Sequence, residues 1–436
     1  MMFDLIRNKL NALGCEAWEM TETNETRWEF YQIGHKLDQN RAVKLSGTEV
    51  KVYVKSADGQ FLGSALDTIS PTATEAEIDA ALAKLTYQAS LVKNPYYTLT
   101  DRPVQTAGAD GAGSGSSKDC PVDIAAIAGD FLKVFSSIPE SDIRRLNSTE
   151  IFVSGICKHF ANSRGVECEY IYPSSELEVI VNAKKDGHEV ELYRIYHSGK
   201  CDSKRLTDDI CRVMGFGEDR LSAVPTPKLG SFDVLFSTSD ACEIYEYFAD
   251  KMHADFIVRK ISDWKIGKSI CPDAKGDLIT LRALPSLPNS SKNYPVDREG
   301  CEVYDRYLIR GGIAENYCGS RQFSQYLGLE KSSLLTNLEV EGGSKSEAEL
   351  RSGDYLEIVE FSDFQVDSMG GDIAGEIRLG YLHRGGTVTI VTGGSISGSM
   401  NEAMKDMSFS KERVQYDNRL IPAVTLLKGL RVTGVE

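Results

Sequence analysis

Hydrophobic and polar positions alternate most clearly in two stretches that are typical of β-hairpins. Residues 50–65 (VKVYVKSADGQFLGSA) and residues 177–196 (LEVIVNAKKDGHEVELYRIY) each hold an Asp-Gly pair between two alternating strands. Asp-Gly favours a tight hairpin turn because both residues tolerate positive φ. The turns at Asp58-Gly59 and Asp186-Gly187 lie 128 residues apart (186 against 58), which suggests a repeated unit.

A helix is predicted after each hairpin, again at this offset. Thr74 and Glu77 have the spacing of a capping box, and Asp202 stands as an N-cap 128 residues after Thr74. The apolar stripes of the two helices correspond position by position: Ile78, Leu82 and Leu85 in the first, Leu206, Ile210 and Val213 in the second. We therefore interpret the first half of the chain as a duplicated hairpin-plus-helix unit.

Each unit also begins with a helix-like stretch, at residues 3–13 and 123–137. Helices together with antiparallel strands predict an α+β layer structure. A Gly- and Ser-rich segment at residues 105–118 (QTAGADGAGSGSSK) predicts a flexible linker, and Pro225 and Pro227 mark a second boundary. The predicted organisation is therefore an N-terminal α+β unit, the linker, a second α+β unit and a C-terminal domain, at residues 1–104, 105–118, 119–222 and 228–436.

The last segment has a different pattern. A short buried-type strand at residues 232–236 is followed by a predicted helix over residues 238–254, whose apolar positions include Ile244, Phe248 and Met252. Short strands between glycine-rich turns then follow, among them residues 355–361, 376–382, 387–391 and 426–432. This pattern predicts a mostly β, barrel-like domain.

Composition narrows the possible functions. The chain has 49 Lys and Arg against 64 Asp and Glu, a net charge of −15, and no concentrated basic patch, so nucleic acid is a poor partner. No window approaches the run of about 18 apolar residues that a membrane helix needs, and charges interrupt any secretory core near the N-terminus. The ten cysteines are scattered without a CxxC pair, which favours free thiols and a cytoplasmic location.

Several blocks of the C-terminal segment resemble the TldD/PmbA family, the modulators of DNA gyrase. They are TNLEVEGG at residues 336–343, the segment at residues 355–382, GGSISGSMNEAM at residues 393–404, and IPAVTLLKGLRVTG at residues 421–434. Upstream, FANSRGVE at residues 160–167 resembles an Asn-Ser-x-Gly element of the family. The resemblance covers the chain from about residue 150 to its end. It marks Thr336, Asn337, Gly371 and Asp372 as candidate residues of a peptide groove.

The resemblance also locates a metal motif that this chain lacks. One kind of family subunit carries HExxxH on a helix, with a Cys ligand near the C-terminus, and binds zinc. Aligned on Ala254-Asp255, the motif falls on residues 245–250, with Tyr245 and Asp250 in place of the histidines and only Glu246 retained. The last cysteine is Cys318, so the thiolate ligand is missing too. We expect no metal and no catalytic residue in this chain.

By resemblance, the chain is the non-catalytic partner of a zinc-bearing TldD-type subunit. Together the two subunits would form a metallopeptidase for unfolded peptides, closed around a zinc held by the other subunit. This chain would help to align the substrate as an added β-strand. Without that subunit we expect a homodimer, because an open interface would expose apolar surface.

Other hypotheses remain open at this stage. The chain could be a regulatory binding protein that acts on DNA gyrase or a toxin–antitoxin system without proteolysis. Cys318, in a glycine-containing loop, is a candidate nucleophile, and Glu246 a candidate relic base. His188 and His197 could meet across the second hairpin, although two ligands do not make a zinc site. The glycine-rich stretch at residues 393–399 lacks the lysine of a phosphate-binding loop and predicts a turn.

Overall fold

The structure, a computed structural model, describes residues 2–102 and 121–435. The predicted linker at residues 105–118 lies outside the described residues. The helices are α1 (Met2–Ala12), α2 (Glu75–Ser90), α3 (Ile124–Ser137), α4 (Ser203–Leu221), α5 (Ala241–Lys251), α6 (Ala254–Val258), α7 (Arg321–Tyr326), α8 (Glu347–Leu350) and α9 (Met400–Ala403).

The strands of the N-terminal half are β1 (Ala17–Ile33), β2 (Lys36–Lys55), β3 (Phe61–Ile69), β4 (Asn94–Pro95), β5 (Arg144–Asn162), β6 (Glu167–Lys185) and β7 (His188–Ser198). Those of the C-terminal half are β8 (Val224–Pro225), β9 (Gly230–Phe236), β10 (Leu281–Leu284), β11 (Arg306–Arg310), β12 (Ile313–Ala314), β13 (Asn337–Val340), β14 (Tyr355–Val366), β15 (Asp372–Arg384), β16 (Thr387–Thr392), β17 (Ser395–Ser399), β18 (Ser408–Phe409), β19 (Arg413–Tyr416), β20 (Arg419–Pro422) and β21 (Thr425–Thr433).

The duplicated hairpin-plus-helix unit is present. Thr74 and Glu77 form a complete capping box on α2, and the Asp202 carboxylate caps α4 by accepting from the Arg205 amide. Every residue of the two predicted apolar stripes is buried. At the second hairpin turn both Asp186 and Gly187 have positive φ, whereas at the first only Gly59 does. Gly63 lets α2 press against β3, because a Cβ there would come within 1.8 Å of the Ala89 carbonyl oxygen.

The two units share one antiparallel sheet, with strand order β4-β3-β2-β1-β5-β6-β7. β1 and β5, which the sequence pattern did not predict, join the units by pairing along almost their whole length, from Glu19 with Asn162 to Ile33 with Ser148. Helices α1 to α4 cover one face of the sheet. On the other face, aromatic residues of β5 and β6 pack against Tyr294 and Val296 of the C-terminal half.

The C-terminal half holds the predicted barrel. Strands β14, β9, β21, β17 and β15 are neighbours in that order, and a further pairing between β14 and β15 closes the ring. A six-stranded sheet, with order β12-β11-β10-β13-β20-β19, lies beside the barrel and shares one hydrophobic core with it. The chain is thus α+β, with a duplicated N-terminal sheet and a barrel-containing C-terminal half.

The predicted helix over residues 238–254 is shorter than expected. Thr238 donates its hydroxyl hydrogen bond to Asp240 in a turn that precedes α5, and His253 takes an extended conformation that separates α5 from α6. The predicted meeting of His188 and His197 is wrong. Both lie on β7, near its two ends, paired with Lys185 and Glu176. Within residues 2–102 and 121–435, every helix is too short or too polar to serve as a membrane span.

Candidate functional site

Helix α5 is the element that would carry the family's metal motif. Most of its side chains are buried in the C-terminal core, including Ile244, Tyr247 and Phe248. Its remaining surface is a polar stripe of Glu243, Glu246 and Asp250, which the helical repeat places on one face. Chemistry on this helix therefore depends on that stripe.

Tyr245, at the first histidine position, points away from the stripe. Its side chain is completely buried, and its hydroxyl lies 2.7 Å from the Thr425 hydroxyl on β21. Burial raises the pKa of Tyr245, so the phenol keeps its proton. A neutral phenol already held in a hydrogen bond is not a zinc ligand.

The two carboxylates of the motif region also have partners. Glu246 Oε1 lies 2.7 Å from Nε of Arg419 on β20, and Asp250 accepts a hydrogen bond of 2.6 Å from the Ser368 hydroxyl. Burial raises the pKa of Asp250, which disfavours the charge that a metal would need there. Among the described residues, no group of three or more His, Cys, Asp or Glu side chains is placed to hold a metal ion. The residues present do not fit a zinc centre.

Cys318 lacks the properties of a nucleophile. Its side chain is completely buried, and its thiol donates to the Met252 carbonyl oxygen at 3.8 Å. Burial raises the pKa of Cys318 to about 12, whereas reactive cysteines have a lowered pKa and partial exposure. His253 and Asp255 are hydrogen-bonded nearby, but a buried, protonated thiol gives that pair nothing to activate.

The four candidate groove residues fall into two separate places. Thr336 and Asn337 lie at β13, where their side chains donate to the carbonyl oxygens of Leu284, Pro285 and Lys292 and hold that loop. Gly371 and Asp372 lie at the start of β15 in the barrel, where the Gly371 amide donates to Asp367. Because the two pairs belong to different sheets, their assignment to one peptide groove stays a prediction.

A cleft between the two halves of the chain was not predicted from the sequence. It has a volume of about 390 Å³ and is bordered by β7, α4, the turn before α5 and the β19–β20 turn. Its lining comes from distant segments of the chain. The only local signal was the charged series Arg205, Asp209 and Arg212 at helical spacing on α4. We name this space the interdomain cleft.

Charged side chains in the interdomain cleft surround two tyrosines, Tyr196 and Tyr416. Arg194 pairs with Glu360, with Nη1 2.8 Å from Oε2, and Arg212 Nη2 lies 2.9 Å from Asp209 Oδ1. The Arg205 guanidinium lies over the Tyr416 ring, 5.9 Å from its centroid. Burial raises the pKa of Tyr416 to about 12 and that of Asp209 above its usual range.

The cleft and the polar stripe of α5 are neighbours. Thr238 and Ser239, which line the cleft, lead directly into α5. Cys242, in the first turn of α5, interacts electrostatically both with Tyr416 in the cleft and with Glu246 on the stripe. The candidate site is therefore the cleft together with the adjoining polar face of α5.

Comparison with known proteins identifies the class. Residues 229–434 match the model of the PmbA/TldA metallopeptidase C-terminal domain. These residues, which contain the barrel and α5, form a domain of the TldD/PmbA family. No curated protein matched the chain.

Three solved structures share the fold along the whole chain. A proposed modulator of a DNA gyrase from Thermotoga maritima has a TM-score of 0.75 at 16% identity, covering 99% of this chain and 100% of its own. TldE from Thermococcus kodakarensis has a TM-score of 0.74 at 15% identity, with the same coverage. A proposed modulator of DNA gyrase from Bacteroides thetaiotaomicron has a TM-score of 0.77 at 15% identity, covering 99% of each chain.

Proposed function

We propose that this chain is a non-catalytic subunit that assembles with a zinc-bearing member of its family to form a peptidase for unfolded peptides. The proposal rests on the contacts that the polar side chains of α5 make. Tyr245 is buried in the core beside Thr425, Glu246 pairs with Arg419, and Asp250 accepts a hydrogen bond from Ser368. A metallopeptidase needs a metal with an open coordination position and a base beside it, and this helix offers neither.

Glu246 would be a poor general base even with a substrate nearby. Its carboxylate faces the Arg419 guanidinium, which competes with any substrate proton for the lone pairs of the carboxylate. A base needs an accessible proton donor and, in this family, a metal-bound water to act on. The chemistry is therefore assigned to the other subunit.

The second face of the seven-stranded sheet, where the C-terminal half leaves it uncovered, supports an assembly role. Large apolar side chains are exposed there, among them Ile33, Leu45, Tyr193 and Ile195. Exposed apolar side chains grouped on one face are typical of interfaces. We propose that this face meets the zinc-bearing subunit, or a second copy of this chain when that subunit is absent.

We also propose a cytoplasmic location. All nine cysteines in the described part of the chain are free, and most are buried or half-buried as small apolar residues would be. Free thiols in this number suit a reducing compartment.

The test is reconstitution. The purified chain is mixed with a zinc-bearing family member from the same organism, and cleavage of a fluorogenic unfolded peptide is followed with and without a chelator. We expect no cleavage by this chain alone, cleavage by the mixture, and loss of that cleavage with the chelator. Chelator-resistant cleavage by the isolated chain would contradict the proposal.

A second function is favoured by the names of two similar structures, both proposed modulators of DNA gyrase. In that case the chain would bind gyrase or a toxin–antitoxin component without proteolysis. A change in gyrase supercoiling caused by the isolated chain, with no cleavage by the mixture, would favour this function over the first.

A further inference from the structure

The interdomain cleft holds hydrogen-bond donors that the described part of the protein leaves unused. The phenol groups of Tyr196 and Tyr416 line the cleft and have no hydrogen-bond partner within residues 2–102 and 121–435. The nearest carboxylate oxygen to Arg205 Nε belongs to Asp209 and is 3.8 Å away, too far for a hydrogen bond. The Arg205 side chain is 40% exposed, so a ligand can reach it.

The other charged groups of the cleft are already paired. Arg194 is held by Glu360 and by the Val359 carbonyl oxygen, and Asp209 accepts from Arg212. Asp417 accepts from the amide and the hydroxyl of Ser291. Among the charged and phenolic side chains of the lining, the Arg205 guanidinium and the phenols of Tyr196 and Tyr416 remain, and all three can donate. Since burial raises the pKa of both tyrosines, they stay protonated donors across the physiological range. Such a set calls for an acceptor, and a carboxylate is the acceptor that suits a guanidinium best.

One wall of the cleft is apolar. Phe131, Leu177, Leu206 and Phe216 contribute to the wall on the side of the N-terminal sheet. A volume of about 390 Å³ lies within the range of about 300–1,000 Å³ that is usual for sites that enclose small ligands. The cleft therefore combines an acceptor-binding end with space for an apolar group.

We propose that the interdomain cleft binds the C-terminal residue of a peptide, with its carboxylate at Arg205, Tyr196 and Tyr416. The apolar side chain of that residue packs against Leu206 and Phe216. The ligand class rests on the proposed function, which makes this chain a subunit that handles unfolded peptides. The cleft adds a preference for a free chain end, because an internal stretch of backbone has no carboxylate to offer.

The test uses the full chain and three N-terminally labelled peptides of one sequence ending in phenylalanine. The first has a free C-terminal acid, the second a C-terminal amide, and the third an amide with an internal glutamate. Fluorescence anisotropy gives the three affinities. We expect the free acid to bind about tenfold more tightly than either amide, as for a charge-assisted hydrogen bond. Tight binding of the third peptide would instead assign the cleft to acidic side chains and overturn the proposal.

Variants locate the binding. Arg205→Gln is expected to remove the preference for the free acid, and the double variant Tyr196→Phe/Tyr416→Phe, which keeps the rings in place, to reduce it. Lys204→Gln is the matched control, since Lys204 is the preceding residue of α4 and its side chain is 90% exposed. The control should bind as the unmodified chain does. Equal affinity for acid and amide, no binding of any peptide, or an unchanged preference in both cleft variants contradicts the proposal.

The outcome is separable from that of the proposed function. Preference for the free acid without cleavage by the reconstituted mixture would leave the cleft assignment standing and remove the peptidase-partner role. Cleavage by the mixture, without any preference of this chain for the free acid, would support the peptidase-partner role and remove the cleft assignment.

Discussion

At the residue scale, the proposed function depends on the direction in which each polar side chain of α5 points. The alignment predicted that Tyr245, Glu246 and Asp250 replace the metal motif, and these residues do lie on one helix. The alignment did not show that Tyr245 points into the core towards Thr425. Nor did it show that the carboxylates of Glu246 and Asp250 are bound by Arg419 and Ser368. Those partners come from β20, β21 and a loop more than a hundred residues away, and no local pattern identifies them.

The role of Glu246 gives a direct prediction. Because its partner is an arginine and not a substrate, Glu246→Gln should leave peptide cleavage by the reconstituted mixture nearly unchanged. Loss of a general base would lower the rate by about 100-fold or more. Initial rates at saturating peptide measure the difference. Glu402→Gln removes a similar charge from an exposed ion pair with Lys405 and is the control. A drop specific to Glu246→Gln would place this residue in the catalytic machinery.

At the scale of elements, the repeat was predictable because turns, caps and apolar stripes recur at one offset. The strands β1 and β5 were not, because β1 alternates Trp and Phe with Glu, Thr and Asn over 17 residues and has no turn signal at its start. Their pairing across the centre of the sheet is a long-range event. The interdomain cleft was missed for the same reason, since β7, α4 and the β19–β20 turn meet only in the folded chain.

The contact between β1 and the C-terminal half predicts a pH dependence of stability. Glu19 is buried, accepts from the Tyr53 hydroxyl at 2.7 Å and has Lys51 4.0 Å away, with Asp297 and Glu299 nearby. Burial raises the pKa of Glu19 to about 8 and that of Asp297 to about 7. The folded chain therefore keeps protons that the unfolded chain releases. The free energy of unfolding should fall as the pH rises from about 5 to about 8.

Substitution isolates the contribution of Glu19. In Glu19→Gln the unfolding free energy should fall less steeply between about pH 5 and about pH 8, because one of the two carboxyl groups with a raised pKa is gone. Urea denaturation at several pH values measures it. Glu49→Gln, an exposed position on β2, should keep the original slope. Identical slopes for Glu19→Gln and the unmodified chain would contradict the assignment.

At the scale of the whole molecule, the barrel-containing half carries the family's domain and the duplicated sheet carries the exposed apolar face. On that face Ile195 of β7 is paired with Glu178 of β6, which in turn is paired with Glu150 of β5. Side chains of this mixed character are common at interfaces with an apolar centre and a polar rim. The proposed assembly surface and helix α5 therefore lie on different halves of the chain.

The assembly surface is testable in the isolated chain. We expect a homodimer by light scattering, and we expect Tyr193→Glu/Ile195→Glu to convert it to a monomer, because buried glutamates without partners oppose association. Val388→Glu changes an exposed residue on β16 of the C-terminal half and should leave the dimer intact. A monomer before any substitution, or a dimer that survives the double variant, would move the interface elsewhere.

The metal content of the isolated chain decides whether α5 can hold zinc. The isolated chain is incubated with an equimolar amount of zinc, dialysed and measured by elemental analysis, with a zinc-bearing family member treated in parallel. We expect a value far below one zinc per chain for this protein and close to one for the relative. Close to one zinc per chain here, lost on replacing Glu246 and Asp250 by alanine, would contradict this expectation.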